Sequence, residues 1–560
     1  MEHLTHQLGI ISTPLSLEEW TASLSAHPDQ AFARYICRGI RDGFRIGFNR
    51  STTLKSATTN MHSAYEHPEI IADHLRKELS LGRLLGPFAD TSALPPLHIS
   101  RFGVIPKGHN TGKWRLITDL SFPQGHSVND GIDPELCSLH YTTVEDVAHI
   151  IADVGSGALL AKFDIESAYR LIPVHPQDRP LQAVRWEGNT YVDPMLPFGL
   201  RSAPKIFNAV ADALNWHLHQ AGIPLIRHYL DDYIIITPPD TSMCTSFIGL
   251  VHRECDRLGI PIAKHKSEGP TTCLVFLGIE IDTLAGQLRL PHDKLERLRT
   301  LLRDWGDRKH CERKQLESLI GLLNHACKVV RSGRSFLRRM IDLLHSVHHP
   351  PHSKTPIRLN KGFRSDLAWW ATFIQQWNGI SFLYPPAHLP RVHLYSDASG
   401  SWGCGAYCGT AYFQLQWDPS SRHLSIAEKE LIPIILACEA WGATWQDQQV
   451  TCHCDNQVIV ACLRSRTSHN TGIMHLLRCL LFVEARYRCH LQPVYIDTHS
   501  NHFADDLSRD KLSSFLSKVP DAAQAPSPIS RLLLETLLDQ NADWISTPWL
   551  RQFATIFSSA

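Results

Sequence analysis

Residues 226–237 read I-R-H-Y-L-D-D-Y-I-I-I-T. Two adjacent acids, Asp231 and Asp232, stand between two short runs rich in β-branched and aromatic residues. That pattern predicts a strand, a tight turn and a second strand, with the acids at the turn. A lone Asp-Asp turn is ordinarily just a solvated hairpin tip. Two carboxylates held there repel by about 4 kcal/mol at a separation of about 4 Å and a surface-like dielectric. A divalent ion removes that cost, and two-metal phosphoryl-transfer sites are built from carboxylates. A third acid and a nucleotide pocket would make this hairpin a site.

Working outward, residues 158–174 (A-L-L-A-K-F-D-I-E-S-A-Y-R-L-I-P-V) supply the third acid. Asp164 ends an apolar run and is followed by a turn-like E-S-A, with Tyr169 five residues on. A carboxylate at a strand's end points into a cleft more often than one in mid-strand. Residues 195–207 (M-L-P-F-G-L-R-S-A-P-K-I-F) combine Pro197, Gly199 and Pro204 in a tight turn that leads into a helix-like stretch. Residues 101–120 read as two strands around a polar turn carrying Lys107, Lys113 and Arg115. A basic hairpin can close over a triphosphate, because Arg binds phosphate bidentately and Lys offsets its charge. The bland alternative is a solvated hairpin.

The chain has 560 residues, 43% hydrophobic and 20% charged, which is ordinary globular composition for three or four domains. Net charge is +0, so any nucleic-acid site is a local patch. The fifteen cysteines include no C-x-x-C pair, and Cys452-His453-Cys454 is too tightly spaced for a zinc ribbon. They read as reduced and buried, in an intracellular protein of cytoplasm or nucleus. The histidines from His345 to His352 fall in a Pro-rich linker. The N-terminus lacks a signal-peptide layout, and no apolar run approaches the length of a membrane span.

Ile36, Ile40, Phe44 and Phe48 recur every four residues and predict a basic amphipathic helix with Arg34, Arg38, Arg41 and Arg45, interrupted by Gly39, Gly43 and Gly47. A second helix is expected over 66–86, ending at Gly86-Pro87. Residues 289–345 read as helical, with Leu295, Leu298, Leu302 and Trp305 on one face. From Arg289 to Arg339 there are fourteen Lys/Arg against six Asp/Glu, a local excess of the kind that grips a phosphate backbone.

Residues 391–509 repeat the theme of acids at the ends of apolar elements. Asp397 follows V-H-L-Y-S, Asp455 follows V-T-C-H-C, and Asp505 lies in N-H-F-A-D-D-L-S-R. Glu430 lies in the first turns of a helix opened by a Ser425/Glu428 capping box, with Pro433 as an anomaly inside it. Four such acids together are an improbable accident.

F-D-I-E-S-A-Y, L-P-F-G-L-R-S-A-P and Y-L-D-D, in this order, resemble the palm motifs of reverse transcriptases. W-R-L-I-T-D-L resembles the fingers motif. G-I-P-I-A-K-H-K and F-L-G-I-E-I-D resemble the fourth palm motif and the primer-gripping hairpin. The resemblance implies an α+β multidomain chain: a right-hand polymerase (fingers, palm, thumb), a connection, then an α/β ribonuclease H-like domain. Its boundaries would be an N-terminal extension 1–60, fingers and palm 61–285, thumb 286–345, connection 346–390, ribonuclease H-like domain 391–510 and tail 511–560.

By the same resemblance Asp164, Asp231 and Asp232 ligate metal in the palm, and Asp397, Glu430, Asp455 and Asp505 form a second metal-binding set. Tyr169 becomes the gate against a ribose 2′-hydroxyl. Arg115 and Lys113 hold the triphosphate. Phe198 and Gly199 border the nucleotide. Lys266, with Lys264 the second choice, is the cation near the leaving pyrophosphate. Many retroviral relatives carry Gln in place of Phe198, and Phe cannot hydrogen-bond a nucleotide, so that contact is lost or replaced by packing. The longer His-containing loop of many relatives is missing before Asp505, with His499 and His502 as candidate replacements.

The implied function is RNA-directed DNA synthesis plus ribonuclease H cleavage of RNA–DNA hybrids. It uses two Mg2+ per site (or Mn2+ as substitute), with RNA template, DNA primer and dNTPs as partners. The order of motifs most resembles DIRS-like retrotransposons; no Asp-Thr/Ser-Gly protease motif, zinc-binding integrase pattern or recombinase set occurs in the chain. The rival expectations are a domesticated copy that binds nucleic acid without chemistry, and a retroviral or pararetroviral polymerase fragment.

Overall fold

The computed structural model describes residues 13–539, apart from 108–111, 113, 348–354, 377–379, 383–390, 446, 447 and 488. The expectations for Lys113, for His348 to His352 and for the segment beyond residue 539 fall outside the described residues. The protein is mixed α and β, in two compact units, Met1–Leu277 and Gly278–Ala560.

The first unit is organised on the quoted stretch. Strands Ile226–Tyr229 and Asp232–Thr237 form an antiparallel hairpin. The second of them also pairs with Leu159–Asp164, which pairs in turn with the edge strand Glu268–Thr271. The central strand is buried at every position from Tyr233 to Thr237, so its unbroken apolar run suits covering on both faces. Helices Ala203–Gln220 and Thr241–Leu258 pack on this sheet. A separate five-stranded sheet contains Leu85–Phe88, Asn189–Val192, Ala183–Trp186, Ile99–Pro106 and Trp114–Asp119, in that spatial order.

Two predicted helices end early. The one expected through Phe48 spans Gln30–Asp42 and stops at Gly43, whose φ of 87° suits glycine. Beyond it Phe44 bridges Val174 and Phe48 bridges Ile132. The helix expected over 66–86 is Pro68–Ser80; Leu85–Phe88 is instead a strand on Asn189–Val192. In both cases long-range pairing takes residues that the local period assigned to a helix.

Residues 13–48 are an integral part of the first core. Trp20, Ile36, Phe44 and Ile46 are buried in the same cluster as Phe163, Ile206 and Tyr233. The Trp20 indole donates to the Leu258 carbonyl at 3.1 Å. Removing a buried Trp costs about 3–5 kcal/mol, a large share of a typical stability, so this segment is not a loose arm. Two basic groups from the N-terminal region serve the fold: Arg45 and Arg50 pair with buried Asp178 at 2.7 and 3.4 Å.

In the second unit, helices His292–Gly306 and Lys361–Gln376 pack together, with Leu295, Leu298, Leu302 and Trp305 buried as the periodicity predicts. A short antiparallel sheet joins Ile279–Asp282, Gln287–Arg289 and Ile380–Phe382. Much of the basic excess there is paired: Arg289 with Glu280 and Asp282, Arg299 with Glu296, Arg313 with Glu317, and Arg339 with Asp366.

A five-stranded sheet follows, in the order Ala411–Gln416, Gly403–Cys408, Val392–Ala398, Gln449–Cys454, His490–Tyr495. Its first three strands are antiparallel and its last two join in parallel. Helices Ile426–Trp441 and Thr471–Tyr487 contribute to one core with this sheet. Pro433 lies inside the first of them. That helix is buried at every position from Glu428 to Cys438, so packing on all sides compensates the hydrogen bond that Pro removes. The described part of the region expected as a tail, up to Asp539, contributes to the same core. Ala523 and Ser527 N–H donate to the carbonyls of Thr410 and Tyr412, each at 2.8 Å, and Leu533 and Leu537 of helix Arg531–Leu538 are wholly buried.

Candidate active sites

The first site grows from strand register. Asp164, the last residue of its strand, lies directly opposite Asp232, the first residue of the neighbouring one. Asp231 occupies, with Leu230, the two-residue turn between strands Ile226–Tyr229 and Asp232–Thr237, and Leu230 takes φ 54°, an unusual conformation for a non-glycine. The turn is tied to the third acid's strand by the Ile165 N–H, which donates to the Asp231 carbonyl at 3.1 Å. Tyr233 stacks on Phe163 at 4.6 Å and donates its hydroxyl to the Ala211 carbonyl at 2.9 Å, so a buried aromatic pair fixes the base of the hairpin.

The three carboxylates share one electrostatic environment. Lost hydration raises Asp231, and the charge of Asp164 adds to that. Lost hydration, then repulsion from Asp231 and Asp164, pushes Asp232 up to about 6 although its surface meets solvent. Asp164 is buried and accepts from Lys266 Nζ at 2.8 Å. A crowded acid set of this kind suits divalent cations, whose charge offsets the mutual repulsion.

Tyr169 stands beside these acids. Its ring lies 5.0 Å from Phe198 and 5.3 Å from Phe207, and burial with the nearby Asp231 charge pushes its hydroxyl up to about 12. Phe198 is exposed, and Gly199 follows at φ 91°. Sequence reasoning missed what holds this loop. Asn129 Nδ2 donates to the Gly199 carbonyl at 2.9 Å, and Arg201 donates to the carbonyls of Asn129 and Ile132 at 2.6 and 2.8 Å. Asn129 sits seventy residues upstream, so no local pattern marks it. Arg115 is exposed on strand Trp114–Asp119, opposite Ile105.

The second site forms where two parallel strands end. Tyr395 pairs with His453, so continuing both strands by two residues brings Asp397 alongside Asp455. Glu430 approaches from helix Ile426–Trp441. One ligand atom each of Glu430, Cys454 and Asp455 lies within 4.8 Å of the others. Burial, then the charges of Asp397 and Asp455, pushes Glu430 up to about 9, and its Oε2 is buried without a hydrogen-bond partner. Asp397 is pushed up to about 6, chiefly by burial. An orphaned carboxylate oxygen among other acids fits a cation site. The Cys454 sulfur fits it less well, because burial raises the thiol far above its ordinary range.

Asp505 enters on helix His502–Ser508 rather than at a strand end. Ser508 Oγ donates to Asp397 Oδ2, and Arg509 Nε donates to Asp505 Oδ1 at 2.5 Å. Both partners follow Asp505 by one helical turn, a spacing that could have revealed them. Gly405 allows the approach of this helix: a Cβ there would lie 2.4 Å from that of Leu507. Asn501 anchors the helix start by donating to the Ser396 carbonyl at 3.0 Å. His502 Nδ1 lies 3.1 Å from the His499 carbonyl, and both histidines are exposed.

Residues 105–281 match the family described as reverse transcriptase (RNA-dependent DNA polymerase). Among relatives, the enzymatic polyprotein of Cestrum yellow leaf curling virus is 24% identical over 384 residues, which cover 64% of this chain and 56% of that protein. The retrovirus-related Pol polyprotein from transposon opus of Drosophila melanogaster is 22% identical over 443 residues, covering 74% of this chain and 40% of that one. This chain thus spans about half the length of those polyproteins. Solved structures of foamy viral protease-reverse transcriptase, one with double-stranded DNA and one with RNA/DNA hybrid, are each 16% identical over 87% of this chain. They are covered over 83% and 64% of their own lengths, each at a TM-score of 0.48. These relatives include both a viral and a transposon-borne polyprotein.

Proposed function

We propose that this chain is an RNA-directed DNA polymerase that also cleaves the RNA of RNA–DNA hybrids, and that it copies a retroelement RNA, of DIRS-like type by the order of its motifs. The observation that carries the reading is the register of Asp164 against Asp232, with Asp231 in the hairpin turn that immediately precedes Asp232. In domain terms, residues 61–285 act as fingers and palm, 286–345 as thumb, 346–390 as connection and 391–510 as the ribonuclease H-like catalytic part. The described parts of the extension 1–60 and of the segment 511–560 complete the folds of their respective units.

Asp164, Asp231 and Asp232 would hold a pair of magnesium ions, and Asp397, Glu430, Asp455 and Asp505 a second pair. When bound, such ions supply Lewis-acid activation of the attacking hydroxyl and offset charge on the departing group. The chain's own residues do the rest. Arg115, with Lys113, grips the triphosphate and orients it. Tyr169 and Phe198 form an apolar wall beside the sugar. Lys266 meets the negative charge of the leaving pyrophosphate. In the second site Ser508 orients Asp397, and Arg509 holds Asp505 toward the other acids.

The deciding experiment is magnesium-dependent extension of a DNA primer on an RNA template, followed by hybrid degradation in the same preparation. Template binding without extension would favour a domesticated, non-catalytic protein. A finer test concerns Tyr169. Its ring is supported by Phe207 from behind, so Tyr169→Ala opens space at the sugar without collapse. Ribonucleotide incorporation should rise relative to deoxyribonucleotide on the order of 100-fold, since a small steric difference is worth about that much. Unchanged discrimination in single-nucleotide incorporation would remove Tyr169 from the gate.

A further inference from the structure

One cation already sits among the palm acids. Lys266 Nζ donates to Asp164 Oδ1 at 2.8 Å and also feels the charges of Asp231 and Asp232. Its placement is built into the backbone. The Ala263 N–H donates to the Asp164 carbonyl at 2.9 Å, and the Glu166 N–H donates to the Pro261 carbonyl at 2.8 Å. Ile165 bridges Ile262 between them. The loop bearing the lysine is therefore stitched along the strand end bearing the acid. A short turn, Lys264–Lys266, then aims the side chain back over Asp164.

The two partners differ in freedom. The Asp164 side chain is 11% exposed and fixed by its strand, whereas that of Lys266 is 53% exposed on a flexible stem. A lysine so placed is a compact charge that can leave without unburying anything. The Lys266 ammonium offsets one of the three clustered negative charges, and its hydrogen bond takes up an Asp164 oxygen that a metal ion would need.

We propose that Lys266 is a resident counter-cation of the palm, bound to Asp164 in the metal-free protein and released when a divalent ion binds there. The proposal rests on the reading of the three acids as metal ligands. Metal uptake is then an exchange of cations, and it frees the ammonium for an anionic group of the incoming nucleotide. Lys266 acts as a positioning residue whose availability is coupled to occupancy of the site.

The test uses the full chain and amine-reactive labelling, with Lys266 followed by peptide mass spectrometry, with and without saturating Mn2+. Labelling should be slow in metal-free protein and rise severalfold with Mn2+. Asp164→Asn, which removes the ion pair, should label quickly without metal. In an Asp455→Asn background, which weakens the second site, Lys266→Met should bind Mn2+ by electron paramagnetic resonance roughly twofold to fivefold more tightly, as expected for loss of one exposed ion-pair competitor. Lys266→Arg should restore the weaker affinity. Mn2+ that binds while Lys266 labelling stays constant or falls would overturn the exchange and leave the metal site standing. Mn2+ binding in that background that Asp231→Asn does not weaken would overturn the metal-ligand reading, and the exchange with it.

Discussion

Asp231→Asn should lower primer extension on an RNA template by on the order of 1000-fold or more, while hybrid cleavage by the same protein stays within about twofold of wild type. Asn keeps the shape of Asp, so the Leu230 turn and the register of Asp164 with Asp232 should persist. What is lost is one negative charge next to two others. At about 4 Å and an effective dielectric near 20, one charge pair is worth about 4 kcal/mol, and each 1.36 kcal/mol is tenfold in rate. On the proposed function hybrid cleavage should be spared, because Asp397, Glu430, Asp455 and Asp505 belong to the other compact unit, Gly278–Ala560. Loss of both activities, with an unchanged melting profile, would argue against two independent sites.

The converse substitution is Asp455→Asn. Hybrid cleavage should fall by a similar factor and primer extension should survive. This acid is the stronger test because of its neighbour. Glu430 is buried, carries an oxygen without a hydrogen-bond partner, and is pushed up to about 9 by burial and by the charges of Asp397 and Asp455. Removing the Asp455 charge lowers that repulsion. The metal-free variant should therefore melt no lower than wild type while its metal-induced stabilisation shrinks. A purely structural role for Asp455 would give the opposite, a lower melting point and an unaltered response to Mg2+. Calorimetry with and without Mg2+ separates the two outcomes.

The placement of several candidate acids was legible because they lie at strand ends. Apolar runs that stop at an acid locate Asp164, Asp232, Asp397 and Asp455 without any knowledge of the fold. The capping box likewise locates the helix that carries Glu430, and the structure contains it with both reciprocal hydrogen bonds. The supports were not legible. Asn129 reaches Gly199, and Arg45 reaches Asp178, across more than sixty residues of sequence, and no period encodes such pairs. Both helix overestimates arise where long-range pairing takes residues from the local period. Phe44 and Phe48 keep the spacing of a helix, yet they pair with Val174 and Ile132 because Gly43 turns the chain out of the helix. Residues after 510 carry no motif, so their burial shows only in three dimensions.

That last segment has a practical corollary. Leu533 and Leu537 cover the floor beneath helices Ile426–Trp441 and Thr471–Tyr487, and Ser527 accepts from the Trp441 indole at 2.9 Å. A gene truncated where the recognisable motifs stop, near Asp510, would yield a product with a raw apolar underside, prone to aggregate during purification. Recombinant material for nuclease assays should run past Leu538, and an inert shorter product would report a stripped scaffold rather than absent chemistry.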